Sequence, residues 1–161
     1  MTDALSALTS LANNDCVERL PALERFYERW HEEPLVVDKW LGVQAMSRLP
    51  GTVAAVQALI KHPAYSRTNP NKVYALIGNF GGNQFQFHAA DGSGYALMTA
   101  EIKALDSINP QIAARMTRSF ERWRRFDDGR QQLMKAELQA IGALPGLSGE
   151  TSEVITKALI A

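Results

Sequence analysis

Apolar residues recur along this chain mainly at spacings of three and four positions, the period of one face of an α-helix. In residues 109–126 the apolar stripe consists of Ile112, Met116, Phe120 and Trp123. The alternation typical of a β-strand is nearly confined to residues 83–88, where a polar neighbour separates Phe85 from Phe87. Because no partner strand is visible, we expect that segment to be a buried loop. The pattern therefore predicts an all-α fold.

Proline, glycine and capping residues divide the pattern into about nine helices. Asn69-Pro70 and Asn109-Pro110 each place a capping amide before the residue that is best tolerated at the first helical position. Further helix starts are predicted at Asp15, Pro34, Thr52, Asp127 and Ser148. The helix that begins after Asn109 is expected to run without interruption to Phe126.

The two Asn-Pro starts lie forty residues apart, which is the length of a two-helix unit in HEAT or armadillo repeats. We therefore expect residues 1–161 to form one helical-repeat domain, an α-superhelix of stacked antiparallel helix pairs. An irregular helical bundle is the alternative, because the repeat is degenerate. In either case the aromatic residues at inward positions are expected to belong to the core: Trp30, Trp40, Phe80 and Trp123.

A glycine-rich loop at residues 87–95 carries an Asp-Gly-Ser-Gly sequence before the sixth helix. It lacks the lysine and the preceding strand of a phosphate-binding loop, and it does not match the G-x-S-x-G motif of serine nucleophiles. A structural turn is the favoured interpretation. We expect His88 to pair with Asp91 and lock this turn, with an acid/base role for His88 as the alternative.

Composition restricts the class of function. Lys+Arg and Asp+Glu both number 17 in 161 residues, so the formal net charge is zero, which argues against nucleic-acid binding through overall charge. The single cysteine, Cys16, is typical of a reducing compartment, and no nearby histidine or lysine favours a reactive thiolate. Neither a secretory signal nor an apolar stretch long enough to cross a bilayer is apparent, so we expect a cytoplasmic protein.

The three histidines of the chain do not form a metal-binding motif. His31-Glu32-Glu33 begins like the zinc-binding H-E-x-x-H sequence, but the second histidine is missing and Pro34 interrupts the helix that the motif requires. We therefore expect no zinc site within this chain.

The helix that starts after Asn109 also carries a row of polar residues. The row consists of Gln111, Arg115, Arg118, Arg122 and Arg125, at steps of four, three, four and three, so a continuous helix would place it on one face. A solvated face, partly neutralised by Glu121 and Asp128, is the simplest interpretation. A surface that binds carboxylates is the more specific interpretation, because a guanidinium group can form two parallel hydrogen bonds to one carboxylate. Phosphate or RNA binding is a third, and the zero net charge weakens it.

Several blocks of sequence carry a resemblance to a known family. They are Leu35-Val36-Val37-Asp38-Lys39-Trp40, His62-Pro63-Ala64-Tyr65 through Asn69-Pro70-Asn71-Lys72-Val73, residues 87–95, Asn109-Pro110-Gln111-Ile112-Ala113-Ala114-Arg115, Arg124-Arg125-Phe126-Asp127 and Glu153-Val154-Ile155-Thr156-Lys157-Ala158-Leu159. In this order they resemble the C-terminal end of bacterial aminopeptidase N, a family of zinc metallopeptidases that remove N-terminal residues from peptides. The resemblance covers nearly the whole chain.

The resemblance implies a multidomain enzyme whose final part is a helical superhelix that caps the catalytic domain and encloses a chamber around the zinc. The zinc ligands, the general-base glutamate and the Gly-x-Met-Glu-Asn segment that holds the substrate amine belong to earlier domains. This chain is therefore expected to be a non-catalytic C-terminal fragment with no cofactor of its own, whose partners are the catalytic domain and the peptide substrate. By resemblance, Gln111 and Arg115 point into the chamber and touch the peptide beyond the scissile bond.

A free-standing helical-repeat scaffold that binds proteins along its concave face is the alternative function. A catalytic domain upstream in the same reading frame would distinguish the two, and we expect neither nucleic acid nor membrane as a partner. A truncated repeat array exposes a face that its neighbour covered. We therefore also expect the isolated chain to self-associate through its N-terminal helices, around Leu5, Leu8, Leu20 and Trp30.

Overall fold

A computed structural model describes residues 2–160, which form helices and turns without a β-strand. Counting residues 70–82 as one helix, this described part contains nine helices, which confirms the all-α prediction. They are α1 Thr2–Ala12, α2 Arg19–Trp30, α3 Pro34–Ala45, α4 Thr52–Ile60, α5 residues 70–82, α6 Ser93–Asp106, α7 Pro110–Thr117, α8 Asp128–Gly142 and α9 Gly149–Ile160.

The described residues fall into two compact units, residues 2–86 and residues 87–160. In the first unit α3 is central, because it packs against α1, α2, α4 and α5. Its core includes Leu8, Leu23, Phe26, Val37, Trp40, Leu41, Val56, Leu76, Ile77 and Phe80. In the second unit α6 packs against α7 and α8, and α9 packs against the same two helices. Its core includes Tyr95, Met98, Ile102, Leu105, Phe120, Met134, Leu138 and Ile155.

Helix α5 contains a π-helical turn, Tyr74–Gly78, between the α-helical segments Pro70–Val73 and Asn79–Gly82. The side-chain amide of Asn79 donates a hydrogen bond to the backbone carbonyl of Ala75 at 2.8 Å, so a carbonyl of the widened turn has a side-chain partner. Opposite this turn lies Gly42 of α3, where an added Cβ would come within 2.8 Å of the Asn79 amide nitrogen. Glycine thus permits the close approach of α3 to α5.

Most of the predicted helix starts are confirmed. The side chain of Asn69 accepts a hydrogen bond from the backbone N–H of Asn71 at 3.0 Å, and Asn109 accepts one from Ile112 at 3.2 Å. Helices α3 and α8 begin at or next to the predicted residues, and the Ser148 hydroxyl accepts from the first turn of α9. These starts were predictable because a cap acts on N–H groups two or three residues away in sequence.

Helix α2 was wrongly predicted to begin after Asp15. It begins at Arg19, because the intervening residues form turns in which the N–H of Arg19 bonds to the carbonyl of Cys16 at 3.2 Å. Helix α4 begins at Thr52 itself, whose hydroxyl donates to the carbonyl of Ser47 at 3.0 Å instead of capping the helix.

The prediction of one helix over residues 109–126 was also wrong. Helix α7 ends at Thr117 and is followed by two 3₁₀ turns, Arg118–Phe120 and Trp123–Arg125. Near the break, the Thr117 hydroxyl donates back to the carbonyl of Ala113 at 2.8 Å, a bond that often bends helices. The predicted apolar stripe is nevertheless buried throughout, because the tighter turns keep its members on the inner side.

Three of the four aromatic residues assigned to the core are buried: Trp40, Phe80 and Trp123. Trp30 is only half-buried, at the end of α2. In the segment that was expected to be a buried loop, Phe87 is fully buried whereas Phe85 is exposed and has Arg48 above its ring.

Candidate functional site

Helix α7 carries the two residues that the resemblance assigns to substrate contact. Gln111 and Arg115 are four positions apart within the regular part of this helix, and both are exposed. They therefore lie on one face, one turn apart. The opposite face is held in the core by Ile112, Ala113, Met116 and Thr117.

Of the remaining arginines of the predicted row, Arg118 lines the same groove as Gln111, whereas Arg122 and Arg125 lie further beyond the end of α7. Because α7 ends at Thr117, Arg118 lies in the first 3₁₀ turn, Arg122 lies between the two turns and Arg125 lies in the second. All three are exposed, and the Nε of Arg118 is 4.0 Å from a carboxylate oxygen of Glu121. The prediction of a row of five on one continuous helix is thus wrong, and Gln111 and Arg115 are the two members that lie within α7.

A charged groove borders Gln111 on one side. Its cavity of about 420 Å³ is lined by Gln111, Ala114, Arg118 and Glu121, together with Glu150, Glu153, Val154 and Lys157 from α9. The ammonium of Lys157 bonds to a carboxylate oxygen of Glu153 at 2.5 Å and lowers the pKa of Glu153. Among the described residues, this lining includes Gln111 and excludes Arg115.

Arg124, which was not in the predicted row, has a structural task. Its two terminal nitrogens donate to the carbonyls of Ala158 and Leu159 at 2.7 and 2.8 Å. The indole N–H of Trp123 donates to the same Ala158 carbonyl at 3.0 Å, and the guanidinium lies 4.2 Å from the Trp123 ring. These bonds satisfy carbonyls that the end of α9 leaves without helical partners.

His88 does not pair with Asp91 as predicted. Its Nδ1 lies 2.8 Å from the hydroxyl of Tyr95, and its ring stacks on Phe126 at 4.1 Å. Asp91 instead accepts hydrogen bonds from the N–H and hydroxyl of Ser93 at 2.9 and 2.7 Å. The reason is burial, because His88 faces the core of the second unit whereas Asp91 is exposed on the turn.

The surroundings of His88 keep its ring neutral near pH 7. Burial and, second, the positive charge of Arg130 lower the pKa of His88 to about 4. Burial also raises the pKa of Tyr95 to about 12. Arg130 donates to the His88 carbonyl at 2.8 Å and to the Asp127 carboxylate at 2.6 Å, which joins the loop to the start of α8. A general acid or base works best with a pKa near the operating pH, so these surroundings favour a structural role of His88 over the acid/base alternative.

Within residues 2–160 no three or more His, Cys, Asp and Glu side chains are grouped so that they would hold a metal ion. His62 packs against Tyr27 and Trp40, with ring centroids 4.7 and 5.4 Å away, and His31 contacts the carbonyl of Glu28. In the same range, every helix is too short or too polar to traverse a lipid bilayer.

Comparison with known proteins identifies relatives along the whole chain. A family model described as DUF3458_C, a domain of unknown function with ARM repeats, matches residues 1–160. Aminopeptidase N of Escherichia coli strain K12 is 39% identical over 160 residues, and aminopeptidase N of Caulobacter vibrioides is 40% identical over the same length. Both alignments cover 99% of this chain and 18% of the relative, in its C-terminal region.

A solved structure shows the same fold. The crystal structure of Legionella pneumophila aminopeptidase A in complex with aspartic acid matches with a TM-score of 0.95 and 37% sequence identity. The match covers 99% of this chain and 19% of that one. The chain thus spans about a fifth of the length of the relatives it matches.

Proposed function

We propose, from the premise that this chain belongs to the DUF3458_C family of ARM-repeat domains, that it is the C-terminal domain of a zinc-dependent aminopeptidase. Such an enzyme removes N-terminal residues from peptides. The observation that carries the proposal is the 36–40% identity to the C-terminal region of bacterial aminopeptidase N over 99% of this chain. Identity at this level across a whole helical domain is far more specific than a match to any short motif.

In this proposal the domain caps the catalytic domain, lines the chamber that receives the peptide, and has no catalytic residue of its own. The zinc belongs to the earlier domains. The histidines of this chain support that division, because His62 and His88 are committed to aromatic packing. We also propose a cytoplasmic location, which cell fractionation tests directly.

Gln111 and Arg115 are the proposed contacts to the peptide beyond the scissile bond. An exposed arginine one helical turn from an exposed glutamine provides two kinds of donor group for a backbone carbonyl or a terminal carboxylate. In an enclosed chamber, a charge-assisted hydrogen bond of this kind contributes about 1.5–3 kcal/mol.

The test is Arg115→Ala in the enzyme expressed from its full reading frame. We expect kcat/KM for tripeptides to fall about 10- to 150-fold, the equivalent of one charge-assisted bond. Hydrolysis of an aminoacyl nitroanilide should be nearly unchanged, because that substrate has no peptide beyond the scissile bond. Arg122→Ala is the matched control, since Arg122 is exposed outside α7, and it should leave both substrates unaffected.

Equal losses on both substrates would contradict a contact beyond the scissile bond and would indicate a structural role for Arg115. Unchanged kinetics on both would remove Arg115 from the site. A reading frame without H-E-x-x-H upstream of this chain would overturn the enzyme proposal and favour a free-standing protein-binding scaffold.

The chain by itself is predicted to bind no stoichiometric zinc and to cleave no peptide. Metal analysis of the purified chain and an assay with unlabelled tripeptides check both statements. Turnover that persists after dialysis against a chelator would contradict the proposal that the zinc and the catalytic residues belong to other domains.

A further inference from the structure

The charged groove beside Gln111 runs between α7 and α9, and these two helices point in the same direction. The carboxylate of Asp106, just ahead of α7, accepts a hydrogen bond from the hydroxyl of Thr151 in the first turn of α9 at 2.6 Å. Beyond the other end of α7, the indole of Trp123 donates to the carbonyl of Ala158 in the last turn of α9 at 3.0 Å. The starts of the two helices therefore lie side by side.

Gln111 and Glu150 face the groove at the same end, Gln111 from the α7 wall and Glu150 from the α9 wall. Each is the second residue of its helix, and both line one cavity of about 420 Å³. Arg118 and Lys157 line the same cavity about two helical turns farther along. We call this cavity the α7–α9 groove. The peptide contact proposed for Gln111 thus adjoins the end of the groove that carries Glu150.

The two positive groups of the α7–α9 groove already have carboxylates beside them. The ammonium of Lys157 bonds to Glu153 at 2.5 Å, and the Nε of Arg118 lies 4.0 Å from a carboxylate oxygen of Glu121. Within residues 2–160, the carboxylate of Glu150 has neither an ion pair nor a hydrogen bond. A negative charge without a counter-charge therefore lies at the start of the groove.

The surface between the two ends of the groove is apolar. Ala114 on α7 and Val154 on α9 line it, and each is only 8% exposed. A long cationic side chain suits such a surface, because its hydrocarbon stem packs on apolar groups while its charged end stays among polar ones. An acidic side chain would instead meet Glu150 at one end and cations that already have carboxylate partners at the other. The cavity volume is within the range of about 300–1,000 Å³ that ligand pockets have.

We propose that the α7–α9 groove receives a lysine or arginine side chain of the bound peptide, and that Glu150 is the residue that selects it. The peptide backbone lies at Gln111, the stem of the side chain crosses the groove over Ala114 and Val154, and its positive end pairs with Glu150. The inference rests on the proposed function, because Gln111 connects the groove to the peptide. It adds a preference for one charge class beyond the scissile bond.

The experiment measures kcat/KM of the full-length enzyme for release of the first residue from tetrapeptides. The peptides carry either lysine or norleucine at the second, third or fourth position, because norleucine has a similar hydrocarbon stem without the charge. At one of these positions lysine should be preferred about fivefold, as expected for an accessible ion pair.

Two substitutions of Glu150 test its role. Glu150→Gln should bring the ratio of the two kcat/KM values to about one, and Glu150→Lys should make glutamate preferred over lysine at the same position. Glu150 is exposed, and glutamine and lysine are good helix formers, so both variants should remain folded. Glu137→Gln is the matched control, since it removes the same charge from α8 outside the lining of the groove, and it should keep the fivefold ratio.

Equal kcat/KM values for lysine and norleucine peptides at all three positions would overturn the inference. A preference that Glu150→Gln retains, or that Glu137→Gln also loses, would overturn it as well. In an active aminopeptidase each of these results leaves the proposed function intact.

Isothermal titration calorimetry with the same peptides covers a full-length protein that has no peptidase activity. A lysine preference in Kd that disappears in Glu150→Gln would support the groove and overturn the proposed function. Equal Kd values for the lysine and norleucine peptides in such a protein would overturn both.

Discussion

The first helix pair and the last helix are both fixed by long-range hydrogen bonds, but their exposed surfaces differ. Helix α1 exposes the alanines Ala4 and Ala7, whereas the exposed positions of α9 are mainly polar. The hydroxyl of Ser47 donates to the carbonyl of Ala12 at 2.6 Å, and the indole of Trp40 donates to that of Leu23 at 2.9 Å. These bonds fix the sides of α1 and α2 that face α3 and the turn after it, while Ala4 and Ala7 lie on the exposed side of α1. Hydrogen bonds to backbone groups therefore do not by themselves determine how polar the exposed surface of a helix is.

Both ends of α9 have bonded partners from elsewhere in the second unit. Trp123 and Arg124 cap its last carbonyls. At its start, the buried carboxylate of Asp106 accepts from the N–H and hydroxyl of Ser148 at 2.9 and 2.5 Å and from the hydroxyl of Thr151 at 2.6 Å. Burial raises the pKa of Asp106, but these hydrogen bonds outweigh it, so the pKa lies below its ordinary value.

The largest loss of stability is expected for Asp106→Ala, which removes the hydrogen bonds at the start of α9. It removes three hydrogen bonds to a charged group and leaves buried donors without a partner, so the free energy of unfolding should fall by about 3 kcal/mol. Urea denaturation followed by circular dichroism measures it. Asp91→Ala is the control, because Asp91 also bonds to a serine near a helix start but is exposed. Equal losses in the two variants would show that burial does not matter here.

A smaller loss is expected for Arg124→Ala. The change removes two hydrogen bonds to the end of α9 and the contact with the Trp123 ring, and should lower the free energy of unfolding by about 1–2 kcal/mol. The neighbouring Arg125 is exposed, so Arg125→Ala should change stability by less than about 0.5 kcal/mol. If both substitutions had the same effect, the cap on α9 would not be a source of stability.

Acid should weaken the second unit through His88. The pKa is about 4 in the folded state and 6.5 ordinarily, so the unfolded chain binds more protons between these values. Stability from this group is complete above pH 6.5 and declines as the pH falls toward 4, by at most about 1.4 kcal/mol per pH unit. His88→Gln should flatten this part of the stability profile, because glutamine does not titrate.

The carboxylates act in a lower window. The pKa values of Asp91, Asp106, Asp127 and Glu153 are all lowered in the folded state, so their contributions are lost only as the pH falls below their ordinary values of 3.8 to 4.5. A profile measured between pH 7 and 5 therefore reports on the histidines. Burial lowers the pKa of His62 as well, so the difference between the profiles of the wild type and His88→Gln isolates His88. A flat wild-type profile in that range would contradict the assignment.

The smallest effect on stability is expected for a substitution on the exposed side of α1. Ala7→Gln in the chain alone should change the free energy of unfolding by no more than about 0.5 kcal/mol, because both residues are good helix formers and Ala7 is exposed. A loss as large as that of Asp106→Ala would show that the surface of α1 around Ala7 is already packed, and the contrast between α1 and α9 would disappear.

Sequence reasoning succeeded where structure depends on neighbouring residues. The caps at Asn69 and Asn109 act within three positions, and the helical period of apolar residues marks the core regardless of where each helix ends. It failed where a side chain has its partner outside the local helical pattern. His88 bonds to Tyr95 in the first turn of α6, and the break after Thr117 lets Trp123 reach the end of α9.

The candidate site was predictable only in part. Gln111 and Arg115 share a face because both fall within the eight regular residues of α7. Arg122 and Arg125 lie beyond the end of α7. The helical spacing of the arginines continues through Arg125, so it did not reveal that the helix stops at Thr117. Likewise, nothing in the spacing of Arg124 distinguished it from its neighbours, since its partners lie more than thirty residues away.

The central claim is that the Gln111 and Arg115 face of α7 touches a bound peptide in the intact enzyme. The most direct measurement replaces Gln111 with the photocrosslinker p-benzoylphenylalanine in the full-length protein and irradiates it with a non-hydrolysable tripeptide analogue. We predict a covalent adduct at position 111, reduced by competing substrate, and none when the crosslinker replaces Arg122. Crosslinking at position 122 and not at 111 would contradict the claim.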